Sequence, residues 1–448
     1  MFRLSGLRPL LVIGALVTTS LTLWTVPALA DGETCDDKPA TMVISTAPDD
    51  FSEVDGTPGD DVIVVTTPDL VFVNGLGGDD TICGAAHTSI RGGEGNDELW
   101  DAWSDPDVLS AGTVDGEEGD DVIHGGDGQA YLLGGTGNDI IGGGGGADVI
   151  AGDTAITSTT APEASDNDTI YGGAGADTIV DDWGNDTFTG GSGRDQLVVG
   201  LASDDPVDQG CHPPIAATAT LRVADGTVTG LGEDTFSGFE TYVGGTGNAT
   251  LIGTSGPDDL RSGECGTAHL VGLGGADRLA GDSEAGGLIS ANGGDDAIVF
   301  SGPYDIHAGK GDDRIRLVSS NSASTGGPDR EIRGSRGNDW VIDDAQFATE
   351  IDLRQGLRPP LGTRWLPVHG VENARQTKHH VLYTKTLRLT GTAGPNVLIG
   401  PPSTKKVRTV FRGLAGNDRL LGGRYDTAYG GPGRDVCRAQ HRHGCERR

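Results

Sequence analysis

The chain alternates short apolar triads with glycine-rich turns, and each apolar residue keeps a fixed distance from the turn before it. A glycine four places and an aspartate six places into a nine-residue frame recur along the chain, as in GGEGND ending at Asp97 and GGTGND ending at Asp139. The aspartates read in this frame include Asp61, Asp80, Asp97, Asp121, Asp139, Asp148, Asp177, Asp186, Asp195, Asp258, Asp277, Asp296, Asp313, Asp339, Asp418 and Asp435. Two residues after each stands a large apolar side chain, such as Ile63, Ile82, Leu99, Ile123, Ile141 or Phe188, with Cys437 the exception. A nine-residue unit has room for a six-residue turn and a three-residue strand, whose central side chain points inward because side chains alternate along a strand. Self-similarity at a fixed period marks a solenoid.

Spacing supplies the geometry. Two stretches keep strict nine-residue steps, Asp121, Ala130, Asp139, Asp148 and then Asp168, Asp177, Asp186, Asp195. Two units then make one coil, and turns on the same side recur every eighteen residues. Asp121 is expected to stack on Asp139, Asp168 on Asp186, and Asp177 on Asp195. Elsewhere the aspartates step by 17 to 19 residues, through Asp61, Asp80 and Asp97 and through Asp258, Asp277, Asp296 and Asp313. Between these lie strand-like pieces without an acidic turn, such as Val71-Phe72-Val73, His269-Leu270-Val271 and Asp305-Ile306-His307, which read as the other side of one-sided coils.

Composition alone leaves a choice between this solenoid and disorder. The 448 residues include 76 glycines, with 35% hydrophobic and 5% aromatic residues, a thin supply for ordinary cores. The coupling of aspartate to apolar residue decides for the solenoid. A formal charge of −34 excludes nucleic acid as a partner of the bulk of the chain, since phosphate binding needs clustered Lys and Arg, and points to cations. Stacked strands lie about 4.8 Å apart, so the aspartates would form like-charged columns, each neighbouring pair repelling by roughly 1 kcal/mol even in water. A divalent cation reverses that sign. Ca2+ accepts six to eight oxygens at variable geometry, which carboxylates of two adjacent turns and backbone carbonyls freed by glycine can supply, whereas Mg2+ fits less well. Several Ca2+ ions per chain, with binding coupled to folding, are therefore expected.

GGTGNDIIG from Gly134 to Gly142, GGGGADVIA from Gly143 to Ala151 and GGAGADTIV from Gly172 to Val180 closely resemble the nonapeptide of the RTX, or haemolysin-type, calcium-binding repeat family. The resemblance runs with interruptions from about Gly56 to Arg438. It implies an all-β, right-handed parallel β-roll, with Ca2+ held between successive turns by the sixth-position aspartates and loop carbonyls. The aspartates named above are the metal-ligand candidates, together with Asp168, which has its acid but lacks the expected glycine. The match weakens at Ala130, Ala249, Asn396 and Thr427, where the aspartate is missing or displaced, so weak or empty turns are expected there.

Two segments look like spacers, one running from Leu221-Arg222-Val223 into Gly230 to Asn248 and one from Ile351-Asp352-Leu353 to Gly370-Val371-Glu372-Asn373; both are expected to form strands that divide one roll from the next. The resulting division is a signal peptide at 1–30, an irregular roll at 31–115, a regular roll at 116–200, a spacer at 201–248, a one-sided roll at 249–345, a spacer at 346–390 and a basic repeat block at 391–448. The signal is read from Arg3 and Arg8 before an apolar stretch, Leu10 to Trp24, and an Ala28-x-Ala30 site favouring cleavage before Asp31. No later run is long enough for a spanning helix, so a secreted, extracellular or wall-associated protein without a transmembrane anchor is expected. Almost nothing lies outside the repeats, as in repeat-only secreted proteins of Gram-positive actinobacteria.

Six cysteines suit an oxidising compartment, and proximity suggests Cys35 with Cys83, Cys211 with Cys265, and Cys437 with Cys445. A zinc site at Cys437, His441, His443 and Cys445 is the alternative for the last group. From Ile351 onward, 18 Lys and Arg stand against 6 Asp and Glu, so a basic end follows an acidic rod. It reads either as a soluble cap or as an anchor for anionic wall polymer. His379 and His380 read as loop residues. No HExxH, GxSxG or phosphate-loop motif occurs, so no catalytic residue is nominated, and a lyase or epimerase acting on polysaccharide from a solenoid face is the enzymatic alternative. An adhesive or wall-associated module and a calcium-stabilised scaffold are the non-enzymatic readings.

Overall fold

The computed structural model describes residues 33–46, 52–101, 112–153, 166–200, 218–318 except 246, 264 and 283–285, 330–358 except 345–347, 365–377 and 386–446. The signal segment, Cys211 and the pair His379 and His380 lie outside these residues.

Each triad forms a strand because its central residue has a core to enter. Val122–His124 buries Ile123 and leaves its neighbours half-buried, and Thr178–Val180 does the same with Ile179. The parallel ladders place identical positions side by side: Ile123 lies between Leu99 and Ile141, and Ile150 between Leu132 and Ile179. These side chains are fully buried, each stabilising the stack by about 1.5–3 kcal/mol. A narrow line of stacked aliphatics, two side chains deep with one from each ladder, thus replaces the wide core that the composition could not fill.

Two parallel sheets face each other across that line. One begins at Met42–Ile44 and runs through Val122–His124 and Thr169–Gly175 to Val368–His369. The other runs from Ser52–Asp55 through Val149–Asp153 and Arg278–Gly281 to Val436–Arg438. Successive strands alternate between the sheets, which is the arrangement of a parallel β-roll. Near residue 350 the first sheet gives way to a third, in which Glu350–Asp352, Thr386–Thr390, Arg408–Arg412, Thr427–Tyr429 and His441–His443 pair in turn.

The spacer segments are built into this frame instead of dividing it. Thr218–Arg222, Thr227–Thr229 and Glu233–Ser237 form an antiparallel meander, yet its outer strands pair in parallel with Asn248–Ile252 and Thr187–Gly193. On the opposite sheet Gln196–Val199 pairs directly with Thr241–Gly244, so the solenoid continues across the first spacer. Trp340–Asp343 pairs with Asn373–Gln376 and carries it across the second.

Disulfides join Cys35 to Cys83 and Cys437 to Cys445, as proximity suggested. Cys265 is also disulfide-bonded. The zinc reading of the C-terminal group falls, because Cys437 and Cys445 share their sulfurs and have no thiolate to offer.

Candidate metal centre

The turns entering each strand align along the two edges of the roll, and each carboxylate reaches back to the coil before it. Oδ1 of Asp139 accepts the backbone N–H of Asp121 at 2.8 Å, Oδ1 of Asp186 that of Asp168 at 2.8 Å, and Oδ1 of Asp195 that of Asp177 at 3.0 Å. These are the three stackings that the spacing predicted. One column passes through Asp61, Asp80, Asp97, Asp121, Asp139, Asp168, Asp186 and Asp234. On the other edge Asp148, Asp177, Asp195 and Glu240 form a column, Asp258, Asp277, Asp296, Asp313, Asp339 and Glu372 a second, and Asn396, Asp418 and Asp435 a third.

The second carboxylate oxygen is the chemical anomaly. Oδ2 of Asp80, Asp97, Asp121, Asp139, Asp148, Asp168, Asp177, Asp186, Asp195, Asp277, Asp296, Asp313, Asp339, Asp418 and Asp435 is buried without a hydrogen-bond partner. A buried polar atom left unsatisfied costs about 1–3 kcal/mol, more if charged, and the same omission at turn after turn points to a missing ligand. The glycine that opens most frames shows where the ligand would lie, although Asp181, Ala291 and Ala308 take that place before Asp186, Asp296 and Asp313. A Cβ added to Gly134 would collide with both Asp139 Oδ2 and the carbonyl oxygen of Gly152 in the next coil. Gly116, Gly143, Gly172, Gly334 and Gly430 repeat the arrangement. Two oxygens face one small space with no hydrogen between them. A cation or a proton must enter, and an all-oxygen donor set suits Ca2+.

Burial acts in the same direction on protonation. Desolvation, reinforced by neighbouring carboxylates, pushes Asp121 and Asp139 up to about 7, and Asp148 and Asp168 to about 8. Asp80, Asp186, Asp277 and Asp313 rise to about 7, and Asp97, Asp339 and Asp418 to about 6, from the same leading cause.

Asp61 and Asp258 depart from the pattern. Threonine follows the opening glycine there, and Asp61 Oδ2 accepts the Thr57 N–H at 2.7 Å and its hydroxyl at 2.8 Å. Thr254 does the same for Asp258 at 2.7 and 3.1 Å, and the Thr392 N–H reaches Asn396 Oδ1 at 2.7 Å. In most other turns the second residue lies in the left-handed region, as at Gly135 (φ 124°) or Leu76 (φ 80°), with Asp182 before Asp186 an exception. The motif Gly-Thr-x-x-x-Asp/Asn therefore marks a turn closed by its own hydroxyl, and each instance stands at the head of a column. This signal was present in the sequence. At the other weak turns, Ala130 donates its N–H to Asp148 Oδ1, and beside Thr427 a displaced Asp426 is buried and accepts the Thr409 N–H at 2.6 Å.

Sequence reasoning missed one cluster. Asp168, Asp182 and Asp186 are at most 2% exposed and bring a carboxylate oxygen each within 4.8 Å of the others. Asp182 accepts the Asp153 N–H through Oδ2 at 2.8 Å, while its Oδ1 has no partner. Asp181 and Asp182 stand where a glycine pair opens the frames of Asp139, Asp148 and Asp177, and burial drives both well above the usual carboxylate range.

Among known families, the RTX calcium-binding nonapeptide repeat matches four segments, residues 112–132, 130–154, 164–197 and 412–439. No curated protein matches the chain. The matched segments contain Asp121, Asp139, Asp148, Asp168, Asp177, Asp186, Asp195, Asp418 and Asp435, all carrying the bare Oδ2 described above. Calcium is the ion these repeats bind, and the chain carries four copies of this calcium-binding repeat on an all-β parallel roll.

Proposed function

We propose that the protein is a secreted extracellular module in which Ca2+, held between stacked turns, completes and rigidifies the roll. The observation that carries this reading is the repeated buried Oδ2 facing a glycine carbonyl. The ligands would be the sixth-position aspartates with a bare Oδ2, from Asp80 to Asp435, with Asp182 added to the site of Asp168 and Asp186. Asp61 and Asp258, closed by threonine, would end their columns. Because the ligands converge only when coils are stacked, ion binding is folding free energy. Disulfides at Cys35–Cys83 and Cys437–Cys445 agree with an oxidising, extracellular setting.

The basic end supports a wall-associated role. Arg388, Arg408 and Arg412 are exposed on the third sheet, and Arg375, Arg419 and Arg438 on the sheet opposite, which gives an anionic polymer a cationic end to grip. Radiocalcium equilibrium dialysis tests the first part: several ions per chain are expected, and none bound at millimolar calcium would refute it. Cosedimentation with purified cell wall tests the second. Binding that disappears with added salt supports the anchor, and a protein that stays in the supernatant at low salt contradicts it.

A further inference from the structure

We infer that the outer face of the roll carries a separate binding site for a borderline transition-metal ion of the Zn2+ class, formed by Asp305, His307 and Glu331, with His369 beside Glu331 as the further donor. The sequence offers no contiguous motif for it. Asp305 and His307 project from the outer face of the Tyr304–Lys310 strand, since Ile306 and Ala308 between and beyond them are buried. The neighbouring strand aligns Ile332 with Ile306 and Arg333 with His307, which places Glu331 beside Asp305. The next aligns His369 with Arg333. Three strands far apart in sequence thus deliver two imidazoles and two carboxylates to one patch.

The hydrogen bonds leave one oxygen of each carboxylate free for the patch. Asp305 Oδ1 accepts the Glu331 N–H at 3.2 Å, and its Oδ2 lies 3.7 Å from His307 Nε2. The Arg333 guanidinium engages Glu331 Oε1, and Oε2 lies 3.6 Å from His369 Nε2. His307 Nε2 has no hydrogen-bond partner. Ligand atoms of Asp305, His307 and Glu331 all fall within 4.8 Å of one another.

Two ligands at about 2.0–2.1 Å from a tetrahedral ion stand roughly 3.4 Å apart. The nitrogen–oxygen separations of 3.6 and 3.7 Å are close to such an edge and too long for good hydrogen bonds. Mixed imidazole and carboxylate donors select Zn2+ and its neighbours over Ca2+, which takes oxygen alone. Arg333 orients Glu331 but also places a positive charge beside the ion, so its removal is expected to tighten binding.

The test is Zn2+ uptake by the calcium-loaded full chain in competition with a chromophoric chelator, with Co2+ absorption as a second readout of coordination. Wild type is expected to take up one equivalent that His307→Gln/His369→Gln loses or binds at least about 100-fold more weakly, since losing even an outer partner costs about 10–100-fold. Arg333→Leu is expected to bind Zn2+ more tightly. Circular dichroism in calcium checks that the histidine variant is folded, and Glu331→Gln, which keeps the side chain's size, replaces it if it is not. Unchanged stoichiometry and affinity in the variants, or no uptake by wild type, would overturn the assignment. Neither outcome bears on the calcium columns.

Discussion

Calcium-stripped protein should fold on acidification, the opposite of ordinary acid denaturation. Aspartates with a bare Oδ2 have two ways to become neutral in the fold, a shared cation or a proton. In the unfolded chain each titrates near about 3.9. In the fold, burial raises Asp80, Asp121, Asp139, Asp148, Asp168, Asp186, Asp277 and Asp313 to about 7 or 8. Between those two values the folded state binds more protons than the unfolded, so stability falls as pH rises. The contribution is fully present below the unfolded value and gone once pH passes the folded one. Each proton is worth about 1.4 kcal/mol per pH unit, and crediting only half of these groups gives roughly 5 kcal/mol per unit. That is comparable to the whole stability of a small domain, about 5–15 kcal/mol. Far-UV circular dichroism of dialysed, metal-free protein is therefore expected to be coil-like at pH 7.5 and to gain β signal towards pH 5. A β spectrum unchanged across that range, or lost on acidification, would refute the reasoning.

Three substitutions separate the parts of the site. Gly134→Ala puts a methyl group into the space shared by Asp139 Oδ2 and Gly152 O, and should remove calcium from that turn in equilibrium dialysis while lowering the calcium-loaded melting temperature. Thr254→Val removes the hydroxyl that caps Asp258 and should cost about 1–2 kcal/mol in denaturant unfolding with calcium stoichiometry unchanged. Asp182→Asn should weaken calcium binding at the Asp168–Asp186 pair yet stabilise the metal-free protein at neutral pH, because folding no longer has to bury a carboxylate or protonate it, as paired melts with and without chelator would show.

What the sequence made legible follows from how the roll is built. Side-chain alternation puts the residue two after each aspartate in the core, so Ile123, Ile141 and Ile179 could be placed from spacing alone. Strict nine-residue steps likewise placed Asp121 against Asp139. The count fails where the chain loops out and returns in register. Asp139 stacks on Asp168 across 29 residues and Asp186 on Asp234 across 48, because the ladder is set by where the strand re-enters. Glu240 and Glu372 extend columns through a longer side chain that the aspartate frame does not detect. Asp182 escaped because it occupies a glycine position, and the His307–Glu331 patch because its members are joined only by strand register.

The most direct test of the account is a Ca2+ titration of residues 31–448 from a chelated sample at neutral pH, followed by far-UV circular dichroism with Mg2+ in parallel. The account predicts a coil-to-β transition specific to Ca2+, lost when Asp139→Ala, Asp148→Ala, Asp177→Ala and Asp195→Ala are combined. A fully folded spectrum in chelator, unchanged by calcium, would contradict it and leave a β-solenoid that stands without metal.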